Sequence, residues 1–172
     1  MCGVAGVYRY NLALSRLGQQ ELGRVNAQMS SRGPDASGEW YSSDSSVGLA
    51  HRRLSIIDLD IQANQPMVFA GSDLTIVFNG EIYNYRELRQ ELAAAGLEST
   101  TQSDTEVLLQ AYAHWGADCL KRLRGMYAFA IWDDQKKGLF LARDPYGIKP
   151  LYYAHDGKTF RFASQLKALL AG

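Results

Sequence analysis

The stretch MYAFAIWDDQKKGLFLAR, residues 126–143, decides the fold class. Met126–Trp132 and Gly138–Arg143 are apolar, β-prone runs on either side of the polar segment Asp133–Lys137, which predicts an antiparallel hairpin. A second hairpin is expected just downstream, where Pro150–His155 and Thr159–Ala163 flank the turn dipeptide Asp156-Gly157. A short helix over Ser164–Leu170 follows. Upstream, two helices carry start signals. Asn84 with Glu87 predicts an N-cap with a carboxylate three residues on, and the helix stops near Gly96. Ser103 with Glu106 repeats the pattern before Val107, Leu108, Ala111 and Trp115. Further back, Leu22, Val25 and Met29 lie at helical spacing within residues 18–30, and Ser31-Arg32-Gly33-Pro34-Asp35 breaks that helix. Short strands are expected at Val4–Tyr10, Gly38–Tyr41, Val47–Arg53 and Leu74–Asn79. Blocks of strands around helices, without βα alternation, predict an α+β domain with mostly antiparallel sheets.

The 172 residues suit one domain with a real core. Eighteen basic residues balance eighteen acidic ones, so charge offers no pull toward nucleic acid or an acidic membrane. No apolar run approaches the ~20 residues that span a bilayer, and the first residues carry no secretory pattern. Cys2 and Cys119 are too few for a disulfide framework, so a cytoplasmic protein with reduced thiols is expected.

Several enzyme classes are missing their signatures. There is no GxSxG elbow, no zinc-type ligand pair and no glycine-rich phosphate loop. Of the three histidines, His114 falls in a helical pattern and His155 beside a turn, neither of them placed for catalysis. The N-terminus is unusual. Removing Met1 would leave Cys2 with a thiol and a free α-amine, whose ordinary pKa of about 7.7–8.0 suits a general base. One residue would then supply nucleophile and base. Position alone favours the other reading, in which Cys2 is a small apolar residue starting a buried strand.

Eight segments agree with the first reading. They are Met1-Cys2-Gly3-Val4-Ala5-Gly6-Val7, Arg32-Gly33-Pro34-Asp35, His51-Arg52-Arg53-Leu54-Ser55-Ile56-Ile57-Asp58 and Asn79-Gly80-Glu81-Ile82-Tyr83-Asn84. Ser103-Asp104-Thr105-Glu106, Gly125-Met126-Tyr127-Ala128-Phe129-Ala130, the run from Arg143 to Tyr153 and Phe162-Ala163-Ser164 complete the set. In this order they resemble the glutaminase domain of glutamine-dependent asparagine synthetases, class II amidotransferases with an N-terminal nucleophile. The resemblance covers essentially the whole chain.

It implies a four-layer αββα sandwich and the hydrolysis of L-glutamine to glutamate and ammonia through a Cys2 thioester. It also implies roles. Asn79 and the Gly80 N–H would receive the oxyanion, glycine letting backbone approach substrate and admitting positive φ. Arg53 would grip the α-carboxylate, and Glu81 and Asp104 would hold the α-ammonium. Leu54, Ser55, Ile56 and Ile57 would line the pocket. Read locally, Asn79-Gly80 is also a hairpin turn, Arg53 a surface arginine and Asp104 a helix-cap neighbour. Ser31 stands where the family usually has histidine, and Gln165 where it has glutamate.

The family's synthetase domain, which uses ATP and magnesium, does not occur in these residues. Its partners are therefore expected to be glutamine and a synthetase domain in cis, with a homodimer compatible. No cofactor is expected in the glutaminase domain itself. Ammonia could instead feed a sugar or phosphoribosyl acceptor, or a ligase of a specialised pathway; a non-catalytic scaffold is the alternative from another class.

Overall fold

The computed structural model describes residues 1–10, 17–54, 64–69 and 72–172. Among these residues nine strands form two antiparallel sheets. β1 (Gly3–Arg9), β2 (Ala36–Tyr41), β3 (Val47–Arg53), β8 (Tyr152–His155) and β9 (Thr159–Ala163) make one, in the order β2-β3-β1-β9-β8. β4 (Met67–Val68), β5 (Leu74–Ile82), β6 (Gly125–Asp133) and β7 (Gly138–Arg143) make the other, in that order. Helices α1 (Gln19–Ala27) and α4 (Leu166–Leu169) pack on the outer face of the first sheet, and α2 (Tyr85–Ala94) and α3 (Asp104–Trp115) on the outer face of the second. The expected αββα sandwich is therefore present.

Strand alternation separates three cores. Val47 and Leu49 of β3, Val4 of β1 and Phe162 of β9 meet Val77 of β5 and Ala130 and Trp132 of β6 between the sheets. The intervening residues point outward: Ala5, Val7 and Ala50 toward α1 and α4, and Ile76, Phe78 and Ile82 toward α2 and α3. This period-2 pattern fixes the face of every later site residue. His51 and Arg53 continue the inward face of β3, and Asn79 that of β5. Cys2 shares the inward face with Val4.

The predicted hairpin at 126–143 forms, with Asp133 opposite Gly138, and the second closes through Gly157 at φ +84°. Asp156 secures that second turn by accepting from the backbone N–H groups of Lys158 and Thr159 at 2.9 and 2.7 Å. Two expected capping boxes are corrected. Asn84 makes no cap bond from its side chain; its Oδ1 accepts from the Arg124 N–H at 2.9 Å, tying α2 to the start of β6. Ser103 does cap α3, accepting from Thr105 N at 3.1 Å, but Glu106 turns to the backbone and hydroxyls of Thr100 and Thr101 instead of reaching back. The sequence reading did not foresee β4 or the 3₁₀ turn Gly116–Lys121. Cys119 is fully buried, and burial pushes its thiol up to about 11, which leaves it inert. Among the described residues no helix is long and apolar enough to cross a membrane.

Trp132 is the largest fully buried side chain between the sheets, edge-on to Tyr8 at 5.1 Å. Trp132→Ala is expected to cost about 3–5 kcal/mol, read as a lower urea midpoint with an unchanged slope.

Candidate active site

Seven of the ten residues singled out above line one cleft at the end of the sandwich: Cys2, Arg53, Leu54, Asn79, Gly80, Glu81 and Asp104. Ser55, Ile56 and Ile57 lie outside the described residues. Cys2 is half-buried, and the Leu54 backbone brackets its sulfur. The Leu54 N–H donates to Sγ at 3.4 Å, and the thiol donates to the Leu54 carbonyl at 3.6 Å. Leu54 was expected to contact substrate; it contacts the nucleophile. The antiparallel pairing of β1 with β3, which sets Gly3 opposite Arg52, brings the two together.

Across the cleft, β5 runs unbroken from Leu74 to Ile82, so Asn79-Gly80 is strand and the hairpin-turn reading fails. Pairing with β6 over nine residues overrides the local turn signal. The Asn79 side chain is buried, and its Nδ2 has no hydrogen-bond partner among the described residues. Gly80 offers its N–H for a different reason than expected. The Phe78 N–H donates to Gln65 Oε1 at 2.6 Å and the Ile82 N–H to Asp104 Oδ2 at 3.0 Å, so both point away from β6. Alternation places the Gly80 N–H between them on that same edge. The reasoning from positive φ is corrected, because Gly80 lies within a regular strand. Glycine is required there because a Cβ would stand 2.3 Å from the Met126 carbonyl oxygen and 2.8 Å from Tyr127 Cα.

Arg53 is 8% exposed, which removes the surface-arginine reading, and its Nη1 donates to Asn64 Oδ1. Asp104 opens α3 beside Glu81. Burial raises its carboxyl to about 6 and Glu81 adds to the rise, while the backbone N–H of Ile82 opposes it. The cleft thus gathers the basic side chains Arg53 and Lys149 and the acidic side chains Glu81 and Asp104.

Five further residues at or beside the cleft carried no role in the sequence reading, although four stand inside the quoted segments. Arg32 Nε donates to the Cys2 carbonyl at 2.9 Å, and its buried Nη2 has no partner among the described residues. His51, buried two residues before Arg53 on the same strand face, meets the Phe78 carbonyl through Nε2 at 3.2 Å. Lys149 is 6% exposed and reaches Met1 Sδ with its Nζ at 3.5 Å. Asp144 holds that lysine's loop, accepting from the N–H groups of Ile148 and Lys149 at 2.9 and 3.0 Å. Gln65 bridges Phe78 and Thr105 and carried no signal in the sequence. His114 and His155 are exposed and distant from these contacts. Of the two departures, Ser31 is exposed, and Gln165 stands at the N-cap position of the short α4 without a side-chain cap bond, its buried Oε1 having no partner among the described residues.

The Asp104 carboxyl generates a pH prediction. Its folded pKa lies above the ordinary 3.8, so the native state holds the proton more tightly than the unfolded chain. Asp104 therefore costs stability above pH 6, and the cost fades as pH falls toward 4. Asp104→Asn is expected to stabilise the empty protein at pH 8 by up to about 3 kcal/mol and to leave stability at pH 4 nearly unchanged. Urea titrations at the two pH values check this.

Known proteins resemble this chain in sequence and fold. A family described as "Glutamine amidotransferase domain" matches residues 1–172. Asparagine synthetase [glutamine-hydrolyzing] 1 of Bacillus subtilis (strain 168) is 46% identical over 171 residues, which are 99% of this chain and 27% of the relative. Asparagine synthetase [glutamine-hydrolyzing] 3 of the same organism is 41% identical over 173 residues, 99% of this chain and 28% of the relative. The chain thus spans about a quarter of the length of these curated relatives. The structure of glutamine phosphoribosylpyrophosphate amidotransferase from B. subtilis superposes with a TM-score of 0.78 at 22% identity, covering 99% of this chain and 43% of that one. That likeness establishes the N-terminal-nucleophile hydrolase fold. The chain belongs to the glutamine amidotransferase domain family.

Proposed function

We propose that this chain hydrolyses the side-chain amide of L-glutamine at Cys2 and supplies the ammonia to an asparagine-synthetase-type ligase. One observation carries the reading: a buried amide N–H₂, Asn79 Nδ2, has no hydrogen-bond partner among the described residues and lines the cleft that holds the Cys2 thiol. An unpaired buried donor costs about 1–3 kcal/mol, a cost offset when an oxyanion forms beside it.

With Met1 removed, the Cys2 α-amine takes the thiol proton and sulfur attacks the glutamine amide carbon. The oxygen becomes an oxyanion received by Asn79 Nδ2 and the Gly80 N–H. The protonated α-amine then gives its proton to the departing nitrogen, ammonia leaves, and a thioester remains. Water, deprotonated by the same amine, attacks the thioester, and collapse of the second tetrahedral adduct releases glutamate and regenerates the thiol. With Met1 attached, that nitrogen is an amide and cannot serve as base. His51 is no substitute, because burial drives its imidazole down to about 3 and its Nε2 is already engaged.

Arg53 binds the substrate α-carboxylate, and Asp104 and Glu81 its α-ammonium, while Arg32 secures the backbone of the nucleophile. Met1 removal also takes away the sulfur that Lys149 contacts, which leaves its ammonium facing the cleft. The hydrolytic step uses protein groups alone. ATP and magnesium would act in a synthetase portion outside these residues, where a carboxylate acceptor would be activated.

The parent protein with Met1 removed, confirmed by intact mass, is expected to release glutamate from glutamine. Cys2→Ala is expected to release none, and equal rates for the two would refute the assignment. Arg53→Ala should raise KM for glutamine about 10–100-fold, the loss of a charge-assisted pair, with a smaller effect on kcat. An unchanged KM would remove Arg53 from the binding role.

A further inference from the structure

We propose that His51 is a positioning residue for the oxyanion hole: its Nε2–H occupies the Phe78 carbonyl and so keeps Asn79 Nδ2 and the Gly80 N–H free for the reacting oxygen. The inference rests on the glutaminase reading above and adds a residue to it.

Three observations place it. His51 lies on β3, opposite Val4 of the nucleophile's own strand, and points inward on the same face as Arg53. Its Nε2 crosses to the other sheet and meets the Phe78 carbonyl at 3.2 Å in a fully buried setting. The Phe78 N–H donates to Gln65 on the outer edge of β5, and a strand residue directs its N–H and C=O to the same side, so that carbonyl lies on the edge that also presents the Gly80 N–H. Phe78 C=O and Gly80 N–H therefore flank Asn79 on one edge.

An unoccupied carbonyl at that position would do two kinds of harm. Its lone pairs would repel the developing oxyanion, and it would offer the adjacent Asn79 amide an internal partner, removing the donor that catalysis needs. The imidazole N–H prevents both. It also links the sheet carrying Cys2 to the strand carrying the donors, so it fixes the gap between attacking sulfur and receiving amides. Because the partner is a carbonyl, the proton resides on Nε2. Burial, with Arg53 nearby, keeps the ring neutral through the working pH range, so its role is constant with pH.

The test compares His51→Met, which fills the space without a donor, with His51→Gln, whose amide nitrogen can donate from nearly the same place. Each is made in the full chain with Met1 removed. His51→Met is expected to lower kcat for glutamine hydrolysis about 30-fold or more while KM moves less than about threefold, because Arg53 and Asp104 still bind the substrate. Iodoacetamide should alkylate its Cys2 at the parental rate. His51→Gln should return kcat to within about fivefold of the parent. Equal kcat losses in both variants, tracking a fall in melting temperature, would show a packing role and overturn the assignment. So would a His51→Met kcat within twofold of the parent. A parent that hydrolyses no glutamine overturns the glutaminase reading itself and this assignment with it.

Discussion

The outer edge of β5 governs the site. Beyond the short pairing of β4 with Thr75 and Ile76, no described strand covers that edge, so the outward N–H and C=O groups of residues 78–82 must find partners elsewhere or await a ligand. Gln65 takes the Phe78 N–H, His51 the Phe78 carbonyl and Asp104 the Ile82 N–H. The Gly80 N–H lies between them, beside an Asn79 amide nitrogen with no partner among the described residues. An exposed sheet edge is usually a liability that proteins cover. Here the described residues close it at both ends, and the peptide between lines the cleft that also holds Cys2.

The sandwich supplies the nucleophile's side of this arrangement. Inward-facing positions of two sheets that share a core must approach each other, and at the open end of the sandwich the inward residues become polar. Val47 and Leu49 give way to His51 and Arg53 along β3, and Val77 to Asn79 along β5. The core thus passes into the cleft without a change of backbone geometry. The charges gathered there are held at a cost, visible in an Asp104 carboxyl raised by burial, and a dipolar substrate with complementary charges would relieve it. Rigid strands rather than loops carry most of these groups, which suits donors that must be in place before charge develops.

Much of this is legible in the sequence because it is local. The hairpin at 126–143, the β3 strand and the Ser103 cap follow from residues close together in the chain. The alternation Val47, Leu49, His51, Arg53 also contains the inward face, and with it the placement of His51, had the period been followed to the end of the strand. Asn79-Gly80 could not be settled locally, since the dipeptide favours a turn and only pairing with β6 makes it strand. Gly80 is needed because β6 passes so close, a fact with no trace in its neighbours. Gln65 and Lys149 depend on contacts between distant segments, and Asn84 gave up its expected cap for a bond to Arg124. Bringing Cys2 together with Asn79 required the family resemblance, since nothing in spacing or composition links them.

The most direct test of the account is to trap the covalent intermediate. The protein with Met1 removed would be mixed with isotopically labelled glutamine, quenched in acid during turnover, digested and mapped by mass spectrometry. The account predicts a γ-glutamyl thioester on the N-terminal peptide at Cys2, present during turnover and gone once glutamine is exhausted. A label on Cys119, or glutamate released without any adduct at Cys2, would contradict it.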